Sequence, residues 1–400
     1  MIEQTRLVIV ADDLTGAADS AARCYGAGLP ASVIVAAPQA LPPGCLACSS
    51  DSRYLSPQQA SQQIHKLLAQ LTPLSTPNTV WYKKIDSTLR GNLGSELDAM
   101  LDAVGAPCAI ICPSFPAQKR GLQAGRLVAP VSPAHGSDLP SLLASQSREQ
   151  VGLIELEQVR AGEQALVASL SQHFAAGERL IVIDALSEAD LATICAAQAR
   201  ALPQALLCGS AGLVGALAAR FAGSFQPSNP NHLPPAGDAL VVVGSASTMA
   251  QRQIEAARTV CHSYRLDQLT TLDKHFELSG DLLLHLPVPA PDLALDGPVA
   301  RAEADKLAQA TLQLFEAKQP DLLLLVGGDT AQAVLGRLGL HKLDVVRELL
   351  PGMPLATAQL PDGRSLQIIL KAGNHGEPNS LVDLLNAVRQ PVATTCSEAI

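Results

Sequence analysis

Runs of four or five apolar residues alternate with longer segments of helical period along nearly the whole chain. The short runs fall at 7–11, 31–35, 79–82, 108–112, 180–184, 206–209, 239–243, 322–326 and 366–370. They are apolar almost throughout instead of alternating with polar residues, the pattern of strands covered on both faces. Between them lie Ala-, Leu- and Gln-rich segments that read as helices: 58–71, 94–104, 163–173, 189–201, 212–222, 249–257, 301–316 and 331–338. This βαβα order predicts an α/β fold, with largely parallel sheets flanked by helices and ligands at the C-terminal edge of the strands.

One segment breaks the pattern. Residues 225–237 read FQPSNPNHLPPAG, and their four prolines suit neither a helix nor a central strand. A linker is expected there, between an N-terminal domain over 1–224 and a C-terminal domain over 238–400. The length agrees, since 400 residues exceed one ordinary core. A second irregular region, 113–140, carries prolines and glycines and reads as a functional loop or lid.

Composition removes several function classes. Net charge is −9 and no block of Lys or Arg occurs, so nucleic-acid binding has no electrostatic support. The apolar run at 7–11 is too short for a signal peptide and stops at Asp12-Asp13. No run approaches the roughly 20 apolar residues that span a bilayer, so no membrane association and a cytoplasmic location are expected. With 48% hydrophobic and 16% charged residues, the chain is apolar enough for a large core and for a homodimer interface. Nine scattered cysteines read as free thiols of a reducing compartment, and Cys45–Cys48 as a lone C-x-x-C of small buried hydrophobes. No pair of histidines has ligand spacing, and no fixed metal site is expected.

Chemistry gathers where apolar runs end. After 7–11 come Asp12 and Asp13, with Gly16 freeing the turn into a helix. Adjacent carboxylates repel, so the site must supply a cation, a donor-rich substrate or a task for a base; the simpler alternative is a helix cap at Asp13 or Thr15. After 45–48 comes Asp51-Ser52-Arg53, whose guanidinium suits two-point binding of a carboxylate. The run KKIDSTLRGN at 83–92 packs Lys84, Asp86, Ser87, Arg90 and Asn92 into one strand-to-helix junction. Lys84 and Arg90 suit an anion or a transferring phosphoryl group, and Asp86 suits a hydroxyl. Lys119, Arg120 and Arg126 follow CPSFP at 112–116. GSAGL at 209–213 suits either an anion or close strand–helix packing. Further on, 244–248, 327–330 and 371–376 are glycine-bearing turns after apolar runs, the last adding Lys371. Together they read as a nucleotide site, without a Walker A or G-x-G-x-x-G signature.

In order, ADDLTGAAD at 11–19, DSR at 51–53, KKIDSTLRGN, CPSFP, GSAGL, GSAS at 244–247, VGGDTA at 326–331, PGMP at 351–354 and LKAGNHG at 370–376 resemble the four-carbon acid sugar kinase family. The resemblance covers almost the whole chain. It implies ATP-dependent phosphorylation of the terminal (4-) hydroxyl of an acid such as D-threonate, D-erythronate or 3-oxo-tetronate. It also implies an acid-sugar domain, a nucleotide domain and an active site in the cleft between them. Carried over, the acid contacts fall on Asp12, Asp13, Arg53, Lys84, Ile85, Asp86 and Ser87. The nucleotide contacts fall on Ser245, Ser247, Gly327, Gly328, Asp329, Thr330, Gly373 and Gly376, with Mg²⁺ carried on the ATP. Asp12, Lys84, Asp86 and Arg90 are the catalytic candidates; Asp12 and Asp86 both remain open as the base. The sequence departs from the family after Phe115. Members often carry Gly-Arg-Thr and a longer segment, whereas this chain reads AQKRGL at 117–122, so this loop is expected to help choose the acid.

Two other functions compete. A strand ending in Asp-Asp-x-Thr superficially resembles the nucleophile motif of haloacid-dehalogenase-like phosphatases, but that motif needs Asp-x-Asp. A two-lobed sugar-acid-binding protein would have no use for the Gly327-Gly328 turn and would bind without consuming ATP.

Overall fold

The structure, a computed structural model, describes residues 6–36, 38, 40–128, 138–221, 223, 225, 233–268, 278–287 and 297–390. Most of the expected linker, the middle of the 113–140 region and Cys396 lie outside them. In chain order the first part runs β1 (Arg6–Ala11), α1 (Leu14–Gly26), β2 (Ala31–Ile34), β3 (Gly44–Ser49), α2 (Pro57–Leu71), β4 (Thr79–Lys84), α3 (Leu93–Val104), β5 (Ala109–Cys112), β6 (Gly121–Gln123), β7 (Arg126–Val128), α4 (Leu139–Gln146), β8 (Val151–Ile154), α5 (Leu156–Arg160), α6 (Glu163–Ala175), β9 (Leu180–Ile183), α7 (Glu188–Ala201), β10 (Leu206–Gly209) and α8 (Ala211–Ala219). The rest runs β11 (Ala239–Val243), α9 (Thr248–Ala257), β12 (His262–Arg265), β13 (Leu282–His285), α10 (Gly297–Lys318), β14 (Leu322–Val326), α11 (Gly328–Arg337), β15 (Lys342–Leu350), β16 (Met353–Gln359), β17 (Ser365–Lys371) and α12 (Ser380–Arg389).

Two compact units form. One takes the chain to residue 226 together with 341–352, the other takes 227–340 and 353 onward. An unbroken second domain over 238–400 is therefore not what forms. Residues 342–350 make a strand of the first unit: β15 pairs antiparallel with β2, and the Ser32 hydroxyl donates to Asp344 at 2.6 Å. Its four charged residues, Lys342, Asp344, Arg347 and Glu348, break up the apolar run by which the other strands are recognised.

In the first unit the strand order is β15-β2-β3-β1-β4-β10-β5-β9-β8, parallel except for β15. In the second it is β12-β13-β11-β14-β17-β16, parallel except for β16. Helices begin as their sequences dictate. Asp13 caps α1, accepting from the Gly16 amide, and Ser56 caps α2 in a reciprocal box with Gln59, followed by Pro57. The α/β class and the buried, continuously apolar strands are as expected: residues 7–11 and 322–326 are fully buried.

Candidate active site

The central strands of the first unit end level with one another. Ala11 pairs with Ser49 on one side and Lys84 on the other, and Gly209 pairs with both Lys84 and Cys112. The segments after these strands therefore leave the sheet at one edge, and Asp12-Asp13, Arg53 and 84–92 meet there. Asn92 ties two of them together, its amide donating to the carbonyls of Ser52 at 3.1 Å and Leu55 at 2.8 Å.

Arg53 organises the carboxylates. Its Nε and Nη2 donate to Asp12 Oδ2 and Oδ1 at 2.7 and 2.9 Å, and Nη1 donates to Asp13 Oδ2 at 2.7 Å. Burial pulls the guanidinium toward losing its proton, but Asp12 and Asp13 hold its pKa well above the usual value. Burial alone would push Asp13 up; Arg53, Lys84 and hydrogen bonds from Thr15 and Gly16 bring it below the usual carboxylate range. Asp13 thus both caps α1 and pairs with Arg53, so the capping alternative and the charged-site reading describe the same residue. Asp86 is similarly occupied. It accepts from Thr88 Oγ1 and Arg90 Nε, both at 2.5 Å, and despite burial Arg53 and Arg90 hold it well below its ordinary value. Both oxygens of Asp12 are taken by Arg53, and the strong depression of Asp86 makes it a weak base at neutral pH.

The two adjacent lysines diverge because successive strand side chains point to opposite faces. Lys83 is fully buried against Glu96 of α3 at 2.7 Å, a structural pair. Lys84 lies over the first turn of α1: a Cβ added to Gly16 would sit 3.1 Å from its ammonium. Its hydrogen bond goes to the Ile85 carbonyl at 2.9 Å. Arg120 reaches the same place, Nη1 donating to Ser87 Oγ at 2.5 Å. Among the described residues neither Lys84 nor Arg120 has a carboxylate within 4.0 Å. Burial lowers the pKa of Arg120, which Asp86 and Asp19 partly offset and Arg90 reinforces. Lys119 and Leu89 take the left-handed conformation, φ 55° and 63°, immediately before Arg120 and Arg90. Such backbone strain in non-glycine residues concentrates at functional loops. Arg53, Lys84, Arg90 and Arg120 gather here with Asp12, Asp13 and Asp86, and Asp19 of α1 also faces Lys84 and Arg120.

In the second unit β11, β14 and β17 are parallel neighbours that also end level, Val326 pairing with both Val243 and Lys371. The three glycine-bearing turns meet there. Ser247 Oγ donates to the Gly373 carbonyl at 2.7 Å and caps α9, Ser245 Oγ accepts from the Ser247 amide at 3.3 Å, and the Gly327 amide donates to the Lys371 carbonyl at 2.9 Å. Gly328 opens α11, with Asp329 in its first turn and Thr330 buried. Added Cβ atoms would sit 1.8 Å from Thr330 Oγ1 at Gly244, 2.0 Å from Ser245 Oγ at Gly373 and 2.4 Å from Ser380 Oγ at Gly376. Glycine at these positions lets the three turns pack closely on one another, and two of the turns open helices, whose N-terminal amides suit phosphate oxygens. Lys371 ends β17 fully buried, its ammonium donating to the Ala372 carbonyl at 3.0 Å, and burial lowers its pKa to about 7.

Gly327 has φ +110°, open to glycine and strained for other residues. Gly327→Ala is expected to weaken nucleotide binding by roughly 1–3 kcal/mol while sugar-acid binding stays unchanged. Calorimetry with each ligand alone measures both, and unchanged nucleotide affinity would make the turn merely structural.

Other sequence candidates resolve differently. Ser210 is buried with its hydroxyl on the Ser114 carbonyl, and Cβ atoms at Gly209 and Gly212 would meet backbone oxygens at 2.1 and 2.5 Å. GSAGL is therefore close packing rather than an anion site. Cys45 and Cys48 are buried, and burial pushes the Cys48 thiol up to about 12. Asp19, which ends the ADDLTGAAD run, has no role on sequence grounds. It is a buried carboxyl, visible only once helix α1 places it one turn beyond Gly16.

Two family models match the chain. Residues 7–217 match the model of a sugar-binding N-terminal domain, and residues 292–381 that of a nucleotide-binding C-terminal domain. The chain is 31% identical to a D-threonate kinase of Cupriavidus necator over 94% of its length and 96% of the relative's. It is 32% identical to a 3-oxo-tetronate kinase of Burkholderia multivorans over 73% of its length and 74% of the relative's. A Salmonella typhimurium LT2 crystal structure, described provisionally as a tRNA synthase, superposes with a TM-score of 0.74 at 26% identity, over 96% of this chain and 99% of that one. With a sugar-binding model over more than half its length and kinases among its relatives, this chain belongs to the four-carbon acid sugar kinase family.

Proposed function

We propose that the protein transfers the γ-phosphoryl group of ATP to the terminal (4-) hydroxyl of a four-carbon sugar acid such as D-threonate, D-erythronate or 3-oxo-tetronate. The carrying observation is the pair of cations at the strand edge of the first unit that no carboxylate engages directly. Arg53 and Arg90 are paired with Asp12, Asp13 and Asp86, while Lys84 and Arg120 have no carboxylate within 4.0 Å among the described residues. One carboxylate of a sugar acid suits that pair, and the acceptor atoms of Asp12, Asp13 and Ser87 match its hydroxyls.

The nucleotide is proposed to lie on the turns at Ser245–Ser247, Gly327–Thr330 and Lys371–Gly376, which gather at the level ends of β11, β14 and β17 and of which two open helices. Mg²⁺ carried on those phosphates supplies charge neutralisation. The chain's own part is to hold the acid by Lys84 and Arg120, fix Asp12 and Asp13 through Arg53, and present the hydroxyl in line. Positioning of this kind makes up most of what enzymes contribute to phosphoryl transfer. The reading includes a cytoplasmic setting; among the described residues no helix is long and apolar enough to cross a membrane.

An ATP-consumption assay over a panel of four-carbon sugar acids tests it, with ADP and the 4-phosphorylated acid expected in equal amounts. Phosphate release from phosphoesters without ATP would favour a phosphatase. Tight acid binding with no ATP consumed would favour a binding protein.

A further inference from the structure

One buried carboxyl at this edge is unused by the roles above. Asp19 sits on α1 one turn beyond Gly16, on the side that faces Lys84, and is 5% exposed. Among the described residues its Oδ1 is buried without a hydrogen-bond partner. An unpaired buried carboxylate oxygen is costly and is retained where something else will occupy it. The charged groups around it come from every side. Lys84 faces it from β4, Arg120 from the loop after β5, Glu348 from β15 and Arg23 from its own helix. Of the other elements packed on α1, β2, β3 and α8 carry no charged residue, and β1 carries Arg6 at its far end, donating to the Leu41 carbonyl and Thr76 Oγ1.

We propose that Asp19 is the general base of the reaction, its Oδ1 accepting the proton of the sugar-acid hydroxyl that attacks phosphorus. The inference rests on the kinase reading of the preceding section. As the hydroxyl oxygen bonds to the γ-phosphorus, its O–H bond breaks and the proton passes to Asp19 Oδ1. The bond from phosphorus to the β,γ-bridging oxygen breaks, and ADP leaves with that electron pair. Asp19 then returns the proton to solvent.

Environment separates Asp19 from the other carboxyls. Asp13 and Asp86 are held low by arginines, which suits permanent charge. At Asp19 burial dominates; Lys84, Arg23 and Arg120 lower the value and Glu348 raises it, leaving a pKa of about 7. That is where a base transfers protons well near neutral pH. Lys84 and Arg120 bracket it, so an acid whose carboxylate they hold would bring its hydroxyls beside Oδ1.

The test uses the full-length protein with Mg-ATP and D-threonate, D-erythronate and 3-oxo-tetronate. Wild-type kcat should rise with pH through about 7 as Asp19 ionises. Asp19→Asn should lower kcat about 100-fold, change acid KM little and lose that limb of the profile. Asp19→Ala should recover part of kcat when formate is added, which a purely structural residue would not allow. A flat wild-type profile between pH 6 and 8 overturns the proposal even if neither variant folds, and so does Asp19→Asn with wild-type kcat and profile. If the wild type consumes no ATP with any of the three acids, it is the kinase reading that fails.

Discussion

Arg53→Ala is expected to remove most of the affinity for the sugar acid while leaving nucleotide affinity intact. The guanidinium makes three hydrogen bonds of 2.7–2.9 Å to Asp12 and Asp13. Without it, two adjacent carboxylates stand at the place where an anionic substrate must bind. Truncating one partner of a desolvated charge pair commonly costs 2–5 kcal/mol. The acid KM should therefore rise by roughly 2–4 kcal/mol of binding energy. Arg53→Lys should recover only part, because an ammonium cannot bridge both carboxylates in the geometry of the fork.

The same substitution has a pH signature. In the wild type Asp13 is held low, so its pairing stabilises the fold above the unfolded pKa and is lost as pH falls through the folded one. In Arg53→Ala burial pushes Asp13 upward without Arg53 to oppose it. Ionisation then works against the fold as pH rises through the carboxylate range. The Tm deficit of the variant should be larger at pH 8 than at pH 5. An equal rise in the KM for ATP, or an unchanged acid KM, would remove Arg53 from the acid site.

Much of this site is legible along the chain because parallel strands place chemistry at their ends. Asp12, Arg53 and Lys84 each follow an apolar run, and level strand ends bring them together without further information. What remained hidden depends on contacts between side chains. Nothing in the spacing of Asp51-Ser52-Arg53 shows that its guanidinium is taken by Asp12 and Asp13. Arg120 looks like one of three surface cations until a left-handed Lys119 turns it onto Ser87. Asp19 matters through burial and a missing partner, which helical period alone does not reveal. Strand β15 is hidden for a related reason. Its charges read as surface, and its place beside β2, some 300 residues earlier in the chain, follows from tertiary packing.

Lys371 carries the second large expected effect. Its ammonium is fully buried, with one carbonyl as acceptor and no carboxylate within 4.0 Å among the described residues. Burial alone takes its pKa from 10.5 to about 7. A lysine whose folded pKa is depressed favours the fold least where the unfolded chain is charged and the folded one is not. The penalty is absent above the unfolded value, grows as pH falls from about 10, and levels off below the folded pKa. At one pKa unit per 1.36 kcal/mol, Lys371→Met should stabilise the empty protein by roughly 4 kcal/mol at pH 7. Its Tm advantage should shrink to the equivalent of about 1 kcal/mol by pH 10 and vanish only above the unfolded value of 10.5. The variant should also bind nucleotide far more weakly, because phosphate oxygens beside Gly327 and Gly373 are what would make the ammonium favourable. ATP binding at pH 8 should accordingly draw close to one proton from solution in the wild type and none in Lys371→Met. Calorimetry in two buffers of different ionisation enthalpy measures that proton. Binding without proton uptake, together with an unchanged Tm in the variant, would show that Lys371 is already charged in the empty site and turned toward solvent.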